Sequence, residues 1–249
     1  MYMLNAILWS VIGGVAGTFC GALIAVLTGD KDKYGDFMPC VMGLASGFII
    51  VVLFSDMIPE AIENSGLPAV AGVAALGCAS VWGASALLSR SRKHKHATVS
   101  GDACAECRRA GLIFALALTL HNLPEGMAMG SIAGSDNAAM LALSVAWHNI
   151  PEGMALTVLL CKGGFGKVKS VLLTVGVGAV TVLGAVIGYF ISEISPMFSG
   201  VCTALSAGAL LYILFGDMLA DAYRESKGKN VSIFIVFGVL LGFLIAGVH

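Results

Sequence analysis

Two apolar segments of the chain repeat one motif built from metal-binding residue types. Residues 121–128 read His-Asn-Leu-Pro-Glu-Gly-Met-Ala, and residues 148–155 differ from them only by Ile in the third place. Each copy places a His and a Glu four residues apart, one turn apart on a helix, so that an imidazole nitrogen and a carboxylate face the same cation. An unpaired carboxylate inside a membrane costs about 3 kcal/mol. Two such costly pairs therefore indicate a ligand.

The motif predicts a metal site built from nitrogen and oxygen ligands. Glu125 and Glu152 together balance one divalent cation, and a donor set without thiolate suits Zn, Fe(II), Mn, Co or Cd. Two alternatives stay open: the carboxylates take up protons and form a proton relay, or the residues form a structural polar network. The candidate metal ligands are His121, Asn122, Glu125, His148, Asn149 and Glu152.

The composition indicates a polytopic membrane protein. Of the 249 residues, 58% are hydrophobic and only 12% are charged, and the mean hydropathy is +0.92. Eight apolar runs are long enough to cross about 30 Å of hydrocarbon, so the predicted fold class is all-α with eight transmembrane helices. The predicted spans are Leu4–Leu27, Pro39–Pro59, Leu67–Leu88, Ala110–Gly130, Asn137–Leu160, Val168–Ile191, Gly200–Leu219 and Val231–Val248.

The basic residues predict the topology. All 14 Lys and Arg residues fall in the odd-numbered connections between the predicted spans. Because basic loops stay in the cytoplasm, we expect both termini outside the cytoplasm of a multi-pass protein of the plasma or inner membrane. Both motif histidines then lie roughly 17 Å along their spans, near the middle of the bilayer.

Two further spans resemble each other in register. Residues 47–57 and 208–218 share Gly, Leu, Phe, Asp and Met at matching positions. These spans run in opposite directions, as the two motif spans do, which is typical of inverted-repeat transporters. We therefore expect one transporter domain over residues 1–249. Its 3+2+3 arrangement has repeats at 1–88 and 168–249 around central helices at 110–130 and 137–160.

Other polar residues are candidates for the transport pathway or for weak metal binding. Acidic residues near the two membrane surfaces are Asp56 and Glu60 on one side and Asp217 and Asp221 on the other. The connection 89–109 is expected to be a cytoplasmic loop. It is either a weak metal site or a solvated basic loop, and its metal-binding residue types are His94, His96, Cys104 and Cys107.

The chain resembles the ZIP family of divalent metal transporters (Zrt/Irt-like proteins), in particular compact bacterial members of the GufA-like group. The paired motif, the eight spans and the stretch Asp56–Ala61 carry the resemblance. It implies that the six motif residues hold the transported metal, zinc first of all. It also implies import into the cytoplasm and a homodimer. The chain departs at Thr181, where related members carry a glutamate, so we expect one metal rather than two.

Other function classes fit less well. A metalloprotease motif places Glu beside the first His as general base, and here both glutamates resemble ligands. The stretch 163–168 lacks the Ser or Thr and the spacing of a phosphate-binding loop, so neither nucleotide nor nucleic acid is expected as a partner. The chain is predicted to be a transporter without a cofactor. An intramembrane metalloenzyme and a proton-coupled carrier of another solute remain the alternatives.

Overall fold

The computed structural model describes residues 2–28, 34–90, 99–131, 133–134, 138–191, 196–226 and 231–246, and the regular secondary structure in these ranges is all helical. Three helices contain a π-helical segment and are described as continuous. The helices are α1 (Tyr2–Ser10, Val11–Ala16, Gly17–Thr28), α2 (Tyr34–Val51, Val52–Met57, Ile58–Ser65), α3 (Leu67–Arg90), α4 (Val99–Ser131), α5 (Ala138–Lys162), α6 (Lys167–Phe190), α7 (Pro196–Ile213, Leu214–Met218, Leu219–Glu225) and α8 (Val231–Ala246).

Six of these helices are long and apolar enough to cross a membrane, counting only the described residues: α1, α2, α3, α4, α6 and α7. These six predicted spans are therefore confirmed as apolar helices of sufficient length. Helix α5 has 25 residues, but the polar motif lies at its centre. Helix α8 is apolar and has 16 described residues. The eight-span count therefore stays a prediction.

The connection predicted as a loop at 89–109 is partly helical. Helix α3 continues to Arg90, and α4 already begins at Val99. The stretch from Cys104 to Ala110 contains two Ala, one Glu and two Arg, which favour helix, and neither Gly nor Pro. Hence α4 extends beyond the apolar span that composition alone defines.

Helices α4 and α5, which carry the motif, pack closely against α6 and α1. A Cβ atom added to Gly126 of α4 would clash with the carbonyl oxygen of Thr181 on α6, and one added to Gly153 of α5 would lie 2.5 Å from the carbonyl oxygen of Thr18 on α1. Both are the glycines of the motif. They allow the backbones to approach, as small residues do between membrane helices, and so fix the rotation of the motif helices.

The prolines of the motif do not end their helices. Pro124 lies inside α4 and Pro151 inside α5, and both helices continue beyond them. Each proline leaves the carbonyl of the preceding turn without its usual donor. In α2 and α7 the regular pattern is interrupted by π-helical segments instead, and these contain Asp56 and Asp217. Such π-helical segments are frequent at functional sites.

Candidate metal site

His121 and Glu125 of α4 meet His148 of α5 in one group, in which both histidines are buried and Glu125 is slightly exposed. Atom Nε2 of His148 lies 2.6 Å from Oε1 of Glu125, and Nε2 of His121 lies 4.0 Å from the same oxygen. One potential ligand atom from each residue lies within 4.8 Å of the other two. One carboxylate thus stands between two imidazoles whose ring centroids are 5.9 Å apart. This is a donor set that a transition-metal cation accepts.

Ser206 of α7 orients the first histidine of the group. Its Oγ lies 3.3 Å from Nδ1 of His121, and both residues are buried. If Nδ1 carries the proton, it donates to the hydroxyl and leaves the Nε2 lone pair for an ion. A hydrogen bond from the second ring nitrogen commonly orients a metal-binding histidine in this way. Sequence analysis missed this residue, although Ser199, Thr203 and Ser206 form a polar stripe at helical spacing.

The two asparagines of the motif bind neighbouring helices. Nδ2 of Asn122 donates to the carbonyl oxygen of Val177 on α6 at 3.0 Å, and Nδ2 of Asn149 donates to that of Gly13 on α1 at 3.2 Å. Both side chains are fully buried. Each Oδ1 is buried with no hydrogen-bond partner among the described residues. The hydrogen bond to the neighbouring helix therefore fixes the orientation of each amide. The Oδ1 atom of each asparagine is not used by the described residues.

Glu152 and Thr181 are buried but lie outside the three-residue group. Glu152 is 1% exposed, and neither carboxylate oxygen has a hydrogen-bond partner in the described part of the chain. Thr181 is also fully buried, with its hydroxyl close to Gly14 of α1. The structure thus brings His121, Glu125 and His148 together and leaves Glu152 as a nearby acid whose oxygens accept no hydrogen bond from the described residues.

A cavity of about 600 Å³ reaches the three-residue group. Its wall includes Asp56 and Glu60 of α2, both exposed residues. Hydroxyl groups of Ser144, Ser199 and Thr203 also line it. Hydroxyl groups of α5 and α7 therefore lie between the exposed carboxylates and the histidines, in a lining that also contains apolar side chains such as Met140 and Leu141. The predicted pathway residues Asp56 and Glu60 lie in this cavity.

The other predicted pathway acids do not line the cavity. Asp217 lies in the π-helical segment of α7. Asp221 lies one turn further, where its Oδ1 is 3.2 Å from a guanidinium nitrogen of Arg224. The same guanidinium lies 3.3 Å from Oε1 of Glu106 on α4. Charged groups of α4 and α7 therefore meet at the end of the helices opposite to Glu60.

The predicted weak site in the connection is only partly within the described residues. His94 and His96 fall in the range 91–98, outside it. Cys104 is partly exposed and Cys107 is buried, and both belong to α4. Metal binding by these four residues stays a prediction.

Comparison with known proteins agrees with the geometry. The model of the ZIP zinc transporter family matches residues 83–248, which include both copies of the motif. The chain belongs to the ZIP family. Membership of this family identifies the protein as a membrane transporter of divalent metal. The group of His121, Glu125 and His148 lies within the matched residues.

Curated relatives extend the likeness over the whole chain. A zinc transporter ZupT of Salmonella heidelberg is 27% identical over 98% of this chain and 95% of its own length. The ZupT of Escherichia fergusonii is 29% identical over 93% of this chain and 91% of its own. That of Corynebacterium aurimucosum is 28% identical over 96% and 93%, respectively. The amino-terminal helices α1 and α2 are thus part of the likeness.

Proposed function

We propose that this ZIP protein carries zinc, and with it related divalent transition metals, across the membrane into the cytoplasm. The observation that carries the proposal is the carboxylate of Glu125 between the imidazoles of His121 and His148, in a cavity that Asp56 and Glu60 also line. The relatives are named zinc transporters, which favours zinc among the metals that a nitrogen and oxygen site accepts. Iron, manganese, cobalt and cadmium are further candidates from the same donor chemistry.

Glu152 completes the charge balance in this proposal. One divalent ion in the group is offset by Glu125 together with Glu152, whose buried oxygens otherwise face a cost of about 3 kcal/mol. Asn122 and Asn149 supply secondary oxygen ligands, because each amide nitrogen is already used. A second ion would add two positive charges, and Thr181 offers only a hydroxyl to offset them. We therefore propose one tightly held metal.

The pathway residues are assigned to the two ends of the route. Asp56 and Glu60 attract the cation to the cavity, since both line it and are exposed. Asp217 and Asp221 serve release at the opposite end, on the helix that also carries Ser206. In this assignment, the cavity opens at the end of the helices where Glu60 lies. Thr181 contributes at the contact of α6 with α1 rather than from the cavity wall.

An inverted 3+2+3 repeat of eight spans is part of the proposal. It is supported by two matched features: π-helical segments that contain Asp56 and Asp217, and asparagine bonds from α4 to α6 and from α5 to α1. In such a repeat α5 spans the membrane as α4 does. Helix α8 packs against α2. The family resemblance alone supports a homodimer, which light scattering on the purified protein would test.

Labelling from outside tests the proposed orientation. A cysteine at Glu63, an exposed residue at the end of α2, is expected to react with an impermeant thiol reagent in intact cells. A cysteine at Ser226, after α7, is expected to react only after permeabilisation, because the basic connections lie in the cytoplasm. The parent chain without either substitution gives the background. The reverse labelling pattern would invert the proposed topology and the direction of transport.

Uptake by proteoliposomes tests the function itself. Vesicles containing the purified protein are expected to accumulate radioactive zinc well above protein-free vesicles, and excess cadmium is expected to compete. Magnesium and calcium at the same concentration should compete poorly, since both prefer all-oxygen shells. Equal zinc accumulation with and without protein, in vesicles where the protein is shown to be folded, would refute the proposed transport.

A further inference from the structure

A basic cluster lies at the end of the helices where α5 connects to α6. The aromatic ring of Phe165 has the guanidinium carbon of Arg108 at 6.0 Å and the Nζ of Lys169 at 5.2 Å from its centroid. Both basic residues are exposed and Phe165 is partly buried against the core. The ring of Phe165 therefore has two like charges beside it, and both are exposed.

Among the described residues, no acidic side chain forms an ion pair with either of these two positive charges. Neither Arg108 nor Lys169 forms a salt bridge within the described part of the chain. The connection from Cys161 to Ser170 contains no acidic residue. The carboxylate of Glu106, two residues before Arg108, is 3.3 Å from Arg224 instead. Two exposed cations beside one ring, neither in a salt bridge with a described residue, attract an external anion.

The surface next to the cluster is apolar on both helices. On α4, Leu112 and Leu116 follow Arg108 at four-residue intervals and are 40% and 41% exposed. On α6, Leu172 and Leu173 follow Lys169 by about one turn and are also exposed. An exposed apolar face that begins beside two basic side chains suits a lipid, because the acyl chains of a lipid continue from its anionic headgroup.

A missing side chain adds room along this face. Gly176 lies two turns beyond Lys169 on the same face of α6, and a Cβ atom placed there would meet nothing within 4 Å. The surface between Leu173 and the next turn is therefore recessed. A recess of this kind accepts an acyl chain better than a row of large side chains does.

We propose that Arg108 and Lys169, held around Phe165, bind the phosphate of an anionic phospholipid in the leaflet at this end of the helices. Arg108 is fixed for this role, because its Nε donates to the carbonyl oxygen of Gly163 at 2.9 Å and leaves the terminal nitrogens for the phosphate. Guanidinium and ammonium groups near an anionic leaflet each add to lipid binding. The bound lipid would contact both α4 and the start of α6, at a position outside the transport route.

Lipid titration of the purified full-length protein tests the site. Phosphatidylglycerol, added to protein in mild detergent, is expected to raise the thermal unfolding temperature, while phosphatidylcholine is expected to change it little. The substitutions Lys169→Gln and Arg108→Gln should each weaken phosphatidylglycerol binding about fivefold, and Lys169→Arg should restore it. Arg224→Gln is the matched control, since it removes an exposed charge from the same end of the molecule but not from this ring.

Several outcomes would overturn the lipid site. Unchanged binding in Lys169→Gln would exclude this residue, and an equal loss in Arg224→Gln would show unspecific attraction. A free-anion site would be indicated if inorganic phosphate alone gave the same stabilisation. Native mass spectrometry adds a readout that does not depend on stability: the wild type should retain one more phosphatidylglycerol than Lys169→Gln does. If Arg108→Gln fails to fold, the exposed Lys169 variants still decide the question.

Discussion

Glu125→Gln is expected to reduce zinc uptake by about 100-fold or more. The carboxylate lies 2.6 Å from His148 and 4.0 Å from His121. Removing one partner of a buried charge pair costs about 3 kcal/mol or more, which corresponds to roughly that factor in binding. The amide keeps the shape of the side chain and removes its charge. The measurement is the initial rate of radioactive zinc uptake in cells, normalised to the amount of protein in the membrane.

Glu63→Gln serves as the matched control for this loss. Glu63 is an exposed acid on α2 that does not line the cavity, so uptake by its variant should stay close to that of the wild type. His148→Ala should lose uptake as Glu125→Gln does, because it removes the closest partner of the carboxylate. Wild-type rates in both site variants would show that the transported ion does not bind in this group.

A cysteine at Thr203 is expected to make uptake sensitive to an impermeant thiol reagent applied outside the cells. Thr203 lines the cavity together with His121 and Glu125, so a bulky charged adduct at this position would obstruct the route and stop nearly all uptake. The reaction should slow when zinc is present. The measurement is residual zinc uptake after timed exposure to the reagent.

Leu183→Cys on α6 provides the comparison for the cavity experiment. Leu183 is 57% exposed on the outer surface of the helices and does not line the cavity, so its variant and the parent chain should keep their activity under the same treatment. Equal inhibition of the Thr203 and Leu183 variants would contradict a route through this cavity. Complete insensitivity of modified Thr203→Cys would contradict it as well.

Of the six predicted ligands, the structure brings His121, Glu125 and His148 together, but the sequence did not predict how they pair. Spacing places Glu125 one turn from His121, and the two are 4.0 Å apart. The shorter contact, 2.6 Å, is with His148 on the other helix. The rotation of α4 against α5 sets that distance, and it depends on glycine contacts with α6 and α1 that a periodicity cannot show. Ser206 was missed for the same reason, since its helix enters the site only through packing.

The asparagines show a different limit of sequence reasoning. Their role as oxygen ligands stays a prediction, and the sequence did not predict that their amide nitrogens donate to backbone carbonyls of α6 and α1. Which backbone lies beside them follows from the close approach of helices at Gly126 and Gly153. The helical class, by contrast, was predictable, because apolar runs of sufficient length leave few alternatives in a membrane.

Anomalous scattering from crystals grown with zinc or cadmium tests the central claim most directly. We expect one strong peak between Nε2 of His121, Nε2 of His148 and a carboxylate oxygen of Glu125, at the ligand distances of about 2.0–2.2 Å that zinc takes with nitrogen and oxygen. The peak should vanish in crystals of Glu125→Gln. A well-occupied peak elsewhere with none in this group would contradict the assignment of the site, and two fully occupied peaks would contradict the single metal.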